Sequence, residues 1–161
     1  MNFYTTITSM RSPGTGLGTI YLFPWSICIV FTLLILVLPV LTGATGILVS
    51  DICFNTIYMD PAFGGDPVLY QHFFWVFGHP EVYILIVPAF GVLSHVLAGV
   101  AGSIIIYGYP SMVLAMGCIS TLGSLVWGHH IYTVGLEADT RSYFTGLTVM
   151  ISLPTGTKLL N

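Results

Sequence analysis

Two short stretches hold most of the side chains able to do chemistry. The first is Gly78-His79-Pro80-Glu81-Val82-Tyr83 and the second is Trp127-Gly128-His129-His130. On a helix, His79 and Tyr83 stand at i and i+4, stacked on one face. Glu81 sits roughly 200° round the axis and points away from both. One face therefore offers a metal ligand beside a phenol, and the other a carboxylate. Pro80 removes a backbone donor and loosens the helix locally, which leaves room for water or polar groups. The adjacent His129 and His130 diverge by about 100° on a regular helix. They can share one metal if the helix ends there and the backbone turns. Three neutral imidazoles suit copper or zinc. Zinc would give Lewis-acid chemistry, whereas a redox copper better explains a phenol one turn from a ligand. A third stretch, Pro154-Thr155-Gly156-Thr157-Lys158, places Thr155 and Lys158 on one helix face. Pro154 frees the carbonyl of Met150, and a lysine beside threonines and broken backbone suits a proton or ion path.

Each of these residues has a plainer reading. An intramembrane histidine commonly hydrogen-bonds between helices, and this is the expectation for His72 and His95. Helix rise separates His72 from His79 by about 10 Å and His95 from His79 by about 24 Å, so neither shares its metal. Glu81 can be a protonated carboxyl bonded to backbone, and Tyr83 an aromatic packing residue. His129 and His130 can form a polar helix end. Lys158 can snorkel to the interface. Cys28, Cys53 and Cys118 have no metal or disulfide spacing and read as small apolar side chains.

The elements that must position these groups follow from composition. Of 161 residues, 55% are hydrophobic and only 6% charged, with net charge −3. Mean hydropathy is +0.94. So little charge cannot cover a soluble domain, the hydrophobicity excludes disorder, and three Lys and Arg residues cannot form a nucleic-acid surface. An all-α polytopic membrane bundle of about four helices remains. Residues 1–21 form an N-terminal segment, placed on the inner side by Arg11. Spans are expected at 22–49, with a kink at Pro39, at 68–97, at 111–130 ending in the His pair, and at 142–161. The loops are 50–67, 98–110 and 131–141. Leu159-Leu160-Asn161 supplies little polar flank, so a longer chain is expected.

The sequence Trp75-Val76-Phe77-Gly78-His79-Pro80-Glu81-Val82-Tyr83-Ile84-Leu85-Ile86 resembles the signature helix of the haem–copper oxidases. The likeness continues in Gly91-Val92-Leu93-Ser94-His95, in Trp127–Gly135, in Asp139-Thr140-Arg141-Ser142-Tyr143-Phe144 and in Pro154–Lys158. The loop Met59–Pro67 fits as well. The resemblance implies helices five to eight of a twelve-helix catalytic subunit. It implies that His79, His129 and His130 are the ligands of copper B. Tyr83 would be the tyrosine bonded covalently to the first histidine and would donate an electron and a proton. Glu81 would pass protons towards the centre and the pump. Lys158 and Thr155 would line a proton pathway, with Ser94 and His95 near its entrance. The family's haem-ligating histidines belong to helices outside this stretch, so haem a and haem a3 would be held mainly by residues elsewhere. The segment 98–109 departs from the family in carrying no charge, where members often have lysines.

The implied reaction is reduction of O₂ to water with proton pumping, in the mitochondrial inner membrane. The implied partners are the remaining segments of the same subunit, companion subunits including the one that accepts electrons, cytochrome c indirectly, and lipid. A quinol-fed member of the superfamily is an alternative, as are an unrelated metal or proton transporter and a non-catalytic remnant.

Overall fold

A computed structural model describes residues 2–103 and 106–161. Met1, at the head of the expected 1–21 segment, and Ile104 and Ile105, within the expected 98–110 loop, lie outside the described residues. Most of the described residues are helical, with no strand among them. The helices are α1 (Asn2–Ser9), α2 (Leu22–Phe54), α3 (Pro67–Val100), α4 (Tyr109–Gly123), α5 (Ala138–Met150) and α6 (Ser152–Leu160). Short 3₁₀ turns lie at Leu17–Thr19, Pro61–Phe63 and Trp127–Ile131.

Three stretches are long and apolar enough to cross a membrane: Leu22–Phe54, Pro67–Val100 and Tyr109–Ile131. The first two outrun the expected spans because their ends are organised by specific side chains. Asp51, in the last turn of α2, accepts from the Thr56 hydroxyl, from the Tyr58 amide at 3.1 Å and from the Met59 amide at 2.9 Å. It thereby folds the start of the loop against the end of α2. Asp66 accepts from the Val68 amide at 2.9 Å and Pro67 takes the first helical position, a strong start for α3. Between them the loop closes so tightly that a Cβ on Gly65 would lie 2.2 Å from the Ile57 carbonyl oxygen. α2 runs unbroken through Pro39, and α3 through Pro80 and Pro88.

The last segment is built differently from a single helix. α5 stops at Met150 and α6 starts at Ser152. Pro154 has no amide to offer the Met150 carbonyl, and the chain tightens there, Ile151 donating to the Thr148 carbonyl at 3.3 Å. End to end the two helices rise roughly 34 Å. That suffices for a hydrocarbon core of about 30 Å, and a fourth crossing stands as a proposal.

α2 and α3 pack along one another, and α4 packs against both. Leu22, Val30, Val87, Met112 and Met116 form the buried cluster at their junction. Gly91 sets the closest approach, since a Cβ there would fall 2.7 Å from Ser26 Oγ and 3.0 Å from Phe23 Cα. Between lipid-solvated helices there is little hydrophobic gain, so such close packing carries the association. Large apolar side chains face outward elsewhere, Leu36, Leu85 and Leu114 among them. At the N-terminus, Arg11 closes α1 by donating to the carbonyls of Ile7 at 3.0 Å and Thr8 at 2.6 Å. Phe3 of α1 stacks on Phe31 of α2 with ring centroids 6.0 Å apart.

Candidate metal centre

The site is assembled from one face of α3 and the 3₁₀ turn after α4. α4 stops at Gly123, and His129 and His130 fall in the separate turn Trp127–Ile131. That turn lets neighbouring imidazoles face one point. His72, Trp75, His79 and Tyr83 follow one another down the same face of α3. His72 Nδ1 accepts from the Trp127 indole N–H at 3.3 Å, pinning the turn to α3. The Trp75 ring lies flat on His130, with centroids 3.9 Å apart and an interplanar angle of 9°. Tyr83 lies one turn below His79, with ring centroids 4.8 Å apart.

His79, His129 and His130 each present a ring nitrogen, all within 4.8 Å of one another. His130 Nε2 is 3.0 Å from His79 Nδ1 and 3.1 Å from His129 Nε2. The tautomer of His129 follows from its surroundings. The Thr148 hydroxyl donates to the Phe144 carbonyl at 2.7 Å, so its oxygen accepts from His129 Nδ1–H at 3.1 Å. The proton is thus held on Nδ1, and the Nε2 lone pair of His129 faces the other two rings. His130 Nε2 can carry only one proton while meeting two nitrogens. With neutral rings, one pair of nitrogens always lacks a proper hydrogen bond.

A single cation satisfies all three lone pairs at once. Nitrogens about 3 Å apart are also what two metal–nitrogen bonds of about 2 Å bridge. His79 is buried and turns its Nδ1, 3.0 Å from His130 Nε2, towards the other two rings. The donor set therefore fits a borderline or soft transition metal such as copper. His129 is half-buried and His130 exposed, so the cluster is open on the His130 side.

The other expected site residues separate into three positions. Glu81 is exposed on the opposite face of α3, with no hydrogen bond among the described residues. Lys158 is buried rather than extended along the surface, and its Nζ donates to Ser94 Oγ at 2.9 Å. Ser94 in turn donates to the Phe90 carbonyl at 2.9 Å. Lys158 borders a cavity of about 300 Å³ lined by Phe90, Leu97, Met112 and Asn161. Thr155 bonds back to the Ile151 carbonyl at 2.9 Å, occupying an acceptor at the helix break. His95 does not face Lys158. Its Nε2 accepts from the Phe23 amide at 3.2 Å, satisfying a free donor at the start of α2. His72 and His95 thus each make the interhelical bond expected of such histidines. Thr148 and Trp75 escaped the sequence reading, because their contacts join elements far apart in the chain.

The chain matches, over residues 1–161, the family described as cytochrome C and quinol oxidase polypeptide I. It is 57% identical over 161 residues to cytochrome c oxidase subunit 1 of Plasmodium falciparum, with all of this chain and 34% of that protein covered. It is 49% identical over 161 residues to the protein of the same name from Cereibacter sphaeroides, covering all of this chain and 28% of that one. For the one from Pecten maximus the identity is 47% over 161 residues, with all of this chain and 34% of that protein covered. The chain spans about a third of the length of these curated relatives.

Proposed function

Because the chain belongs to the cytochrome c and quinol oxidase polypeptide I family, we propose that it is the metal-binding central part of a cytochrome c oxidase catalytic core. The complex would reduce O₂ to water with proton pumping. The observation that carries the reading is the convergence of His79, His129 and His130 nitrogens within 4.8 Å. In this role the three histidines are the ligands of copper B. Copper bound there would supply a redox metal for O₂ reduction. Haem a3 and haem a are held mainly by residues outside this chain. The companions are the rest of subunit I, the subunit that accepts electrons from cytochrome c, and the lipid of a mitochondrial inner membrane. The names of the relatives favour cytochrome c over quinol as the donor.

The residues divide the work by position. Thr148 keeps the His129 proton on Nδ1, so that Nε2 is free to bind. Trp75 holds the His130 ring in one plane by stacking. Tyr83, beside His79, supplies one electron and its phenolic proton when the O–O bond breaks. Reducing one O₂ to two waters takes four electrons and four protons, so protons must be delivered through the apolar bundle. Glu81 relays them on the far face of α3. Lys158 takes them up from the Ser94 end, where Nζ is hydrogen-bonded to Ser94 Oγ beside a cavity roomy enough for water.

The test is His129→Ala in the intact complex. Copper at this site should fall to near zero by metal analysis while the low-spin haem spectrum persists. Unchanged copper would overturn the ligand assignment.

A further inference from the structure

Tyr83 lies one turn from His79 on α3, with ring centroids 4.8 Å apart. No hydrogen bond fixes its hydroxyl among the described residues, and its neighbours on α3 are His79 and apolar side chains. What meets the ring from across the bundle is a glycine. A Cβ placed on Gly123 would lie 2.6 Å from Tyr83 Cδ2, 2.7 Å from Cε2 and 3.2 Å from Cγ. The ring edge therefore rests on bare backbone at the last residue of α4. Gly123 is buried, and its φ is in the ordinary range, so no backbone requirement calls for glycine there.

We propose that Gly123 is a positioning residue for Tyr83. By lacking a Cβ it lets the phenol ring seat against α4, one turn from His79. This rests on the reading of Tyr83 as the electron and proton donor beside the metal. The wall acts on one side only. α3 carries Tyr83 and His79 on the same face, and Gly123 closes that face directly before the turn that bears His129 and His130. Carbon atoms pack at about 3.5–4.0 Å, so a methyl at Gly123 would push the ring roughly 1 Å from its seat. A misplacement of that size can cost a reacting group about a hundredfold in rate.

The experiment compares Gly123→Ala with Gly117→Ala in the purified oxidase complex. Gly117 lies in the same helix, but a Cβ there meets nothing within 4 Å. It reports what an alanine does to α4 alone. The readouts are the position of the Tyr83 ring by electron cryo-microscopy, copper content, and turnover. For Gly123→Ala the expected result is full copper, a Tyr83 ring shifted by about 1 Å, and turnover lower by about a hundredfold. Gly117→Ala should match the unmodified complex in all three. The proposal is overturned if the ring stays in place, or if turnover stays within twofold. It is also overturned if copper is lost with the phenol, or if only the Gly123→Ala complex fails to assemble, because Gly123 would then serve general packing. Lack of copper in the unmodified complex would instead refute the metal reading on which this rests.

Discussion

At the scale of single residues, the centre depends on where one proton sits. His129 can bind a metal through Nε2 only while Nδ1 keeps the hydrogen, and the acceptor that keeps it there is Thr148 Oγ1 at 3.1 Å. Thr148 is committed as an acceptor because its own hydrogen goes to the Phe144 carbonyl. Replacing it by valine preserves shape and removes the acceptor. Thr148→Val should lower copper affinity by about 10- to 100-fold, measured by competition with a chelator on the purified complex, whereas Thr148→Ser should retain it. Equal affinity in both variants would mean that another group orients the ring. This dependence also marks the limit of what the sequence made legible. His79 and Tyr83 could be paired from spacing alone, since one helical turn brings them together. The His pair could be joined to them once a turn was allowed after α4. Thr148, Trp75 and Gly123 could not be found in that way, for each acts across the bundle, and no periodicity in the chain announces such a contact.

At the scale of elements, Pro154 decides where Lys158 points. It leaves the Met150 carbonyl without its helical partner, and α5 and α6 meet at an angle-permitting break instead of continuing. The break brings Lys158 inward to Ser94 on α3. Pro154→Ala restores the missing amide, so α5 and α6 should join into one helix and carry Lys158 round the axis. The Nζ–Oγ hydrogen bond should be lost in a cryo-microscopy map, and proton uptake into the centre should slow roughly ten- to a hundredfold. A helix still broken at Ile151 would show that tertiary packing, not the proline, sets the break. The apolar runs marked α2 and α3 plainly, because lipid demands long unbroken helices. The stop of α4 at Gly123 was not legible, since the next residues are apolar too and the turn there is held by contacts of Trp127 with His72 and Phe144.

At the scale of the whole molecule, the histidine count constrains what else must be present. The chain has five histidines. Three form the cluster, and the other two are engaged, His72 with the Trp127 indole and His95 with the Phe23 amide. No histidine is left to ligate a haem, so in the proposed oxidase the axial ligands come from outside this chain. Glu81 leads the same way. A charged side chain facing lipid at mid-membrane costs about 2.5–3.5 kcal/mol or more, and Glu81 is exposed on the surface of this chain. The open side of the metal cluster at His130 also needs a cover if water is to be kept from the reacting centre. Both surfaces should be met by helices of the remaining subunit. The native complex, purified in mild detergent, should therefore contain segments that supply further intramembrane histidines, with haem a and copper measured together. Its structure should show helices from outside residues 1–161 against Glu81 and across His130. A complex that carries copper and haem a but leaves both surfaces facing lipid would contradict the proposed assembly. A complex without haem would leave the histidine cluster as the metal site of a different kind of membrane protein.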